Sequence, residues 1–262
     1  MNDELSPQRI KEGLRTRFVG QNVVYYSSIG STNDVARMLA AQNAPEGTLV
    51  IAEEQTAGRG RLGRRWLAPA GTSLLFSLLF YPDLATRQAM RLTMLCALGT
   101  AEAIRAMTGL TPRLKWPNDI LIRGQKAGGI LTEGGGKGEH LDYAVVGLGL
   151  NVNFAPSKIP ELAATATSLS EALGREVARL PLLWSILEEI EERVQRLQAG
   201  GSPHEEWATH LATLGQKVRV RVPWGTEEGW AEAVDEDGAL LLRCKDGRLE
   251  RIATGDVTLR VR

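Results

Sequence analysis

Three segments concentrate residue types that can hold anions. The first, residues 53–66 (EEQTAGRGRLGRRW), spaces Arg59, Arg61, Arg64 and Arg65 among glycines, with no acid from Ala57 to Trp66. Glycines let backbone N–H groups approach a ligand, and guanidinium groups grip phosphate or carboxylate at two points. The second, residues 115–131 (KWPNDILIRGQKAGGIL), carries Lys115 and Lys126, two of only 7 lysines beside 24 arginines. Where Arg is the default cation, a Lys inside a dense motif points to a compact ammonium on a flexible stem. The third, residues 147–153 (GLGLNVN), ends a strand-like run in small residues and two amides. Together these types suit positioning and charge neutralisation of a polyanion. The ordinary alternatives are a solvated basic loop, an exposed hairpin lysine and a plain strand-to-loop transition.

Competing chemistries are weaker. His140, His204 and His210 form no HxxxH pair, so a catalytic zinc and a His-based triad are disfavoured. Cys96 and Cys244 lie far apart without a CxxC partner, against a disulfide framework or structural zinc. Residues 58–63 match GxGxxG, but the following RRWLAP does not open a helix. A dinucleotide pyrophosphate would lack its helix N-terminus.

The elements around these segments mix strands and helices without regular βαβ alternation. Strands are expected at 22–28, 48–55, 73–81, 113–116 and 141–150. A hairpin is expected from 120–123 and 127–133 around Gly124-Gln125. Ser6-Pro7 opens a short helix, and Ser31-Thr32-Asn33-Asp34 supplies caps for a second. Residues 86–107 form a long helix ending at Gly109, and 181–198 an amphipathic one whose glutamates Glu188, Glu189, Glu191 and Glu192 read as solvated surface. Another helix covers 203–214. From Gly215 the texture changes: KVRVRV alternates strictly, and Asp237-Gly238 and Asp246-Gly247 mark turns. The expected architecture is α+β, a mixed, mostly antiparallel sheet backed by helices, with residues 1–214 as one domain and 215–262 as a small β-barrel.

Composition narrows the partners. The formal net charge is 0, from 31 basic and 31 acidic side chains, which disfavours a nucleic-acid-coating or membrane-surface protein. The 43% hydrophobic content fits a packed core. The N-terminus is charged where a secretory signal needs an apolar run, and no apolar stretch is long enough to span a bilayer, so the expected location is cytoplasmic.

Five motifs in register resemble those of biotin–protein ligases: Ser31-Thr32-Asn33, the Gln55…GRGRxGRxW run, KWPND with a lysine seven residues after its Asp, GLGLNVN, and Ala166-Thr167-Ser168-Leu169. The resemblance implies the same α+β fold with an SH3-like C-terminal barrel. It implies ATP with Mg2+ as cofactors, biotin as substrate, and a biotin carboxyl carrier protein as partner. Biotin's carboxylate would attack the α-phosphate, and the biotinyl-adenylate would then acylate one carrier lysine. A carboxylate is already ionised at neutral pH, so the first step needs no general base.

By that resemblance Ser31, Thr32 and Gln55 line the site of biotin's ureido head, with Asn33 grouped beside them in a helix-cap position. Arg59, Gly60 and Arg61 belong to a loop closing over biotin and the anhydride. Lys126 reaches the biotin carboxylate and α-phosphate, and Arg61 and Lys126 are the catalytic candidates. Arg64, Lys115, Asn118 and Asn151 are placed on the nucleotide phosphates and their magnesium. Trp66 packs either on the ligand or in the core, and Arg260 meets the nucleotide from the barrel. No residue is assigned directly to a metal.

Two departures stand out. Thirty residues precede Ser31, whereas a three-helix DNA reader needs roughly twice that; no nucleic-acid partner is expected. Residues 154–167 contain no Trp to cover adenine, leaving Phe154 or Leu162 as the candidates for that role. The alternatives are a lipoate or octanoate attachment enzyme of the same architecture, against which the GRGRxGRxW run argues, and a biotin-responsive regulator. A homodimer is left open.

Overall fold

The computed structural model describes residues 5–136 and 138–259. In chain order the helices are α1 (Pro7–Gly13), α2 (Thr32–Ala41), α3 (Met90–Thr108), α4 (Leu169–Leu173), α5 (Arg179–Gln198) and α6 (His204–His210). The strands are β1 (Val23–Tyr26), β2 (Leu49–Ala52), β3 (Ser73–Phe80), β4 (Arg113–Lys115), β5 (Asp119–Ile122), β6 (Gln125–Gly135) and β7 (Tyr143–Asn151), followed by β8 (Lys217–Val222), β9 (Gly225–Val234), β10 (Leu240–Cys244), β11 (Leu249–Ile252) and β12 (Asp256–Leu259). Among the described residues no helix is long and apolar enough to cross a membrane.

Seven strands form one sheet in the order β1-β2-β3-β7-β6-β5-β4. Only β1 and β2 run parallel; the other pairs are antiparallel. The fold is therefore α+β with a mostly antiparallel sheet. Its interior strand β3, SLLFSLLF, is buried along its whole length, because helices cover both faces. On one face α3 and α5 pack with the sheet into the main core. On the other, Val35, Ala36 and Ala40 of α2 pack on Val50, Leu79 and Val145. The cavity described below opens beside α2.

Local chemistry sets the boundaries. Ser6 caps α1 through Arg9 N, with Pro7 in the first turn. Gly109 ends α3 at φ 74°, a left-handed C-cap that glycine adopts without a Cβ penalty. The β5–β6 turn is Arg123-Gly124, with φ values of 51° and 82°. The tip thus lies one residue earlier than the sequence suggests, since a two-residue primed turn needs positive φ at both positions. The helix expected over 203–214 closes at His210, and Leu211 turns extended to pair with Leu114.

Glu191 overturns a sequence expectation. It is buried rather than solvated. Its carboxylate accepts the backbone N–H groups of Arg17 at 2.7 Å and of Phe18 and Val19 at 2.9 Å each. A buried carboxylate persists where its lone pairs are filled in this way. It ties α5 to the turn ahead of β1, a partnership 172 to 174 residues distant that helical periodicity cannot reveal.

The C-terminal segment forms a five-stranded antiparallel sheet, β11-β10-β9-β8-β12. KVRVRV gives the burial alternation expected of a strand with one face inward. Trp116 of the KWPND segment is buried, and its indole Nε1 donates to Gly238 O at 2.9 Å. Its backbone N–H donates to Thr213 Oγ1 at 2.9 Å. The tryptophan of that motif therefore fastens the C-terminal sheet to the strands carrying Lys115 and Lys126.

Candidate active site

A cavity of about 640 Å³ gathers Ser31, Thr32, Asn33, Gln55, Arg59, Gly60, Arg61, Arg64, Trp66, Lys115, Asn118, Lys126 and Asn151. Every candidate from the sequence lines it except Phe154 and Arg260, and Arg260 lies outside the described residues.

Ser31 precedes α2 in extended conformation, and its side chain makes no capping bond. Thr32 pins Gln55: its N–H and hydroxyl both meet Gln55 Oε1, at 2.8 and 3.0 Å. The amide oxygen is thereby committed, and Gln55 offers a ligand its NH2 group. Ser77 lies below, its Oγ 2.6 Å from Asn33 Oδ1 and 2.8 Å from Thr32 Oγ1. Asn33 is not the helix cap the sequence suggested. It stands inside α2, donating from Nδ2 to Glu133 Oε2 at 2.7 Å and to Leu131 O at 3.3 Å. Its Oδ1 occupies the space a Cβ at Gly147 would need.

The Gly/Arg segment folds back on itself. Gly60 N–H donates to Arg64 O at 2.7 Å and Trp66 N–H to Gly58 O at 2.9 Å. Between them Arg61–Gly63 make one 3-10 turn in which Leu62 takes φ 57°. That left-handed conformation costs a non-glycine residue about 1–2 kcal/mol. Trp66 then lies over Gly149, where a Cβ would approach its ring to 2.5 Å. Trp66 walls the cavity, and its buried Nε1 has no hydrogen-bond partner among the described residues.

Lys126 owes its direction to a bulge. The register of β5 against β6 shifts between Ile120 and Leu121, which pair with Gly128 and Lys126. The extra residue, Ala127, breaks strict alternation. Lys126 and Gly129, an odd number of residues apart, thus share a face, and a Cβ at Gly129 would lie 3.1 Å from Lys126 Nζ. Nζ stands 5.6 Å from the centre of the Trp66 ring, within cation–π range. It is also paired with Asp119. Lys115 Nζ lies 3.7 Å from the other oxygen of the same carboxylate.

At the strand ends, Asn118 Nδ2 donates to Ile130 O at 2.6 Å and Asn151 Nδ2 to Thr167 O at 3.0 Å. Asn151 Oδ1 is buried and has no hydrogen-bond partner among the described residues. The 155–167 stretch is zipped to β6: Lys126 N–H donates to Thr165 O and Thr167 N–H to Lys126 O, both at 2.9 Å. This brings Leu162 to the cavity; Phe154 is not among its lining residues.

Sequence reading missed the acids. The arginine loop has none of its own, yet Arg59 is paired with Asp34 and Arg64 with Asp256. Burial opposes the Asp256 charge, but its hydrogen bond to Arg64 and the charges of Arg64, Lys115 and Lys126 outweigh it, so its pKa falls below the ordinary value. Burial lowers the pKa of Arg61, against the nearby charges of Asp256 and Asp119. The compact anion site is thus a balanced one: carboxylates from distant segments orient Arg59 and Arg64, and Asp119 of the same segment orients Lys115 and Lys126. KWPND itself contained Asp119, the one acid a local signal could have found.

The arrangement can hold a carboxylate and a polyphosphate against oriented cations, in a cavity walled by Trp66, Phe76 and Leu131. A model described as the biotin/lipoate A/B protein ligase family matches residues 25–151, and one described as the biotin protein ligase C-terminal domain matches residues 213–260. The bifunctional ligase/repressor BirA of Bacillus subtilis is 38% identical over 259 residues, covering 98% of this chain and 79% of the relative. The biotin–[acetyl-CoA-carboxylase] ligase of Mycobacterium tuberculosis is 32% identical over 267 residues, covering 97% of each. The structure of a biotin protein ligase from Aquifex aeolicus in complex with biotin and ATP superposes with a TM-score of 0.76 at 31% identity, over 92% of this chain and 99% of that one. The chain therefore belongs to the biotin/lipoate A/B protein ligase family, as a ligase whose C-terminal sheet matches the biotin protein ligase C-terminal domain.

Proposed function

We propose that this protein condenses biotin with ATP to biotinyl-adenylate and pyrophosphate, then transfers the biotinyl group to a lysine of a biotin carboxyl carrier protein. The observation that carries this reading is the single cavity in which Gln55, Trp66, Arg61 and Lys126 converge. The relatives support biotin over lipoate: those compared above include a biotin–[acetyl-CoA-carboxylase] ligase and a biotin protein ligase solved with biotin and ATP. Residues 1–214 would bind and activate the substrates, and 215–262 would close the site from the side of Gly255 and Asp256.

In this reading the NH2 of Gln55 and the hydroxyls of Ser31 and Thr32 receive the ureido head. Biotin's carboxylate oxygen attacks the α-phosphorus; an O–P bond forms and the bond to pyrophosphate breaks. The chain's own contribution is alignment and charge compensation. Lys126 is positioned by Asp119 and the Trp66 face to meet the carboxylate and α-phosphate. Arg61, Arg64 and Lys115 meet phosphate charge, with Asn118 at the end of the same hairpin. In the second step the acceptor amine attacks the acyl carbon, AMP departs, and the amine sheds its proton. Mg2+ prefers oxygen ligands and usually reaches proteins through a nucleotide's phosphates. Asn151 Oδ1, a buried acceptor lacking a partner, fits that preference and would hold the ion, which when bound neutralises phosphate charge.

The test is direct. Purified protein, biotin, MgATP and a biotin-carrier domain should yield biotinylated carrier by mass spectrometry, with lipoate a poor competitor. No transfer to a carrier that a second ligase can modify would refute the reading.

A further inference from the structure

The first arginine of the Gly/Arg loop is held by residues that belong to none of the motifs around it. Arg59 Nη1 donates to Asp34 Oδ2 and Nη2 to Asp34 Oδ1, both at 2.7 Å. Nη2 also lies 3.5 Å from Glu133 Oε2. That same oxygen accepts from Asn33 Nδ2 at 2.7 Å, and Asn33 is buried against Gly147. Asp34 lies in α2 and Glu133 in β6. One guanidinium therefore joins the loop to a helix and to a strand at the cavity's edge. A two-point fork on a carboxylate fixes direction as well as distance. The pairing is mutual: the hydrogen bond to Arg59 is the largest influence on Asp34, lowering its pKa against burial, and the bond to Asp34 raises that of Arg59.

We propose that Asp34 and Glu133 are positioning residues that clamp Arg59, holding loop 58–66 over the cavity so that the acyl-adenylate is retained until an acceptor lysine arrives. This rests on the function proposed above. A mixed anhydride is open to water, and a loop that opens early forfeits it by escape or hydrolysis. Loop gating of this kind governs residence more than the bond-making step. Arg59 thus serves as an anchor, while Arg61 and Lys126 remain the groups placed on reacting atoms.

The experiment compares the full chain with Asp34→Asn, Glu133→Gln and the double variant. Two quantities are read: pyrophosphate released in the first turnover, and the lifetime of bound adenylate after free substrates are removed by rapid filtration. The clamp predicts a lifetime shortened roughly three- to tenfold in Asp34→Asn, as expected for loss of a bidentate surface pair, and more in the double variant. First-turnover pyrophosphate release should fall by a smaller factor. Asp34→Glu, which keeps the carboxylate, should restore part of the lifetime. A double variant with the parent's lifetime overturns the clamp, as does an equal loss in both quantities, which marks a general structural defect. If the parent forms no adenylate, the proposed function itself fails and the clamp's role with it; circular dichroism of each variant separates unfolding from both results.

Discussion

Arg61, in the turn of the Gly/Arg loop, donates through Nη1 to the backbone carbonyl of Gly255 at 3.0 Å, joining residues 194 positions apart. Its Nη2 reaches Thr254 Oγ1 at 3.3 Å, and Arg64 pairs with Asp256. The loop is thus seated against the start of β12. Gly255, Asp256, Thr258 and Leu259 line the cavity alongside it. The C-terminal sheet is a wall of the site.

This contact predicts coupling between the two halves. Asp256→Asn should raise the KM for ATP several-fold with a smaller effect on kcat. A double-mutant cycle of Arg64→Ala with Asp256→Asn, read in kcat/KM for ATP, should return a coupling of about 0.5–1 kcal/mol, the range for a partly exposed charge pair in contact. Strict additivity would mean that the pair contributes nothing to loop seating.

The same pair has a defined pH signature. The folded pKa of Asp256 is depressed below its ordinary value of 3.8. A depressed carboxylate stabilises the fold fully above its unfolded pKa, and that contribution is lost as pH falls through the folded one. The stability difference between parent and Asp256→Asn should therefore be flat through neutral and mildly acidic pH and shrink only in strong acid. Thermal melts across that range check this; a difference growing towards low pH would reverse the sign.

Gly149 is constrained by Trp66. A Cβ there would stand 2.5 Å from Trp66 Cε2 and 2.7 Å from Cζ2. Gly149→Ala should displace the indole and weaken biotin binding, at a cost of about 1–3 kcal/mol typical of overpacking. Calorimetric titration with biotin measures it. Undiminished affinity would show that Trp66 does not shape the ligand's berth.

Glu191 separates stability from catalysis. Glu191→Ala strips three backbone N–H groups of their acceptor. It should cost about 3 kcal/mol or more, since breaking a buried charged interaction strands its partners. Urea denaturation reads the loss, and activity well below the melting temperature should persist. A loss below about 1 kcal/mol would mean that water replaces the carboxylate.

What the sequence discloses, and what it hides, divides by range. The sheet strands, the long helices and the small terminal sheet follow from periodicity and turn residues, which act over a few positions. The candidate residues were legible because Gln55, the Gly/Arg run, KWPND and GLGLNVN are each locally dense. Asp34, Glu133 and Asp256 were hidden because an acid on a helix or strand looks like ordinary surface until folding brings it to an arginine. Asn33 looked like a cap because it stands one residue past Thr32. Only its partners, buried Ser77 and half-buried Glu133, show that its amide is spent crosslinking α2 to the sheet. Lys126 was singled out by the scarcity of lysine and by the family resemblance, but its aim depends on a bulge that depends in turn on pairing.

The central claim is that this cavity makes biotinyl-adenylate with Lys126 at the reacting groups. Biotin-dependent exchange of labelled pyrophosphate into ATP measures that step alone, without a carrier protein. The account predicts exchange that requires biotin in the parent and falls by about 10²–10³-fold in Lys126→Ala, the scale of removing one oriented group that stabilises developing charge. Exchange at the parent's rate in Lys126→Ala, or no biotin-dependent exchange in the parent, would contradict it.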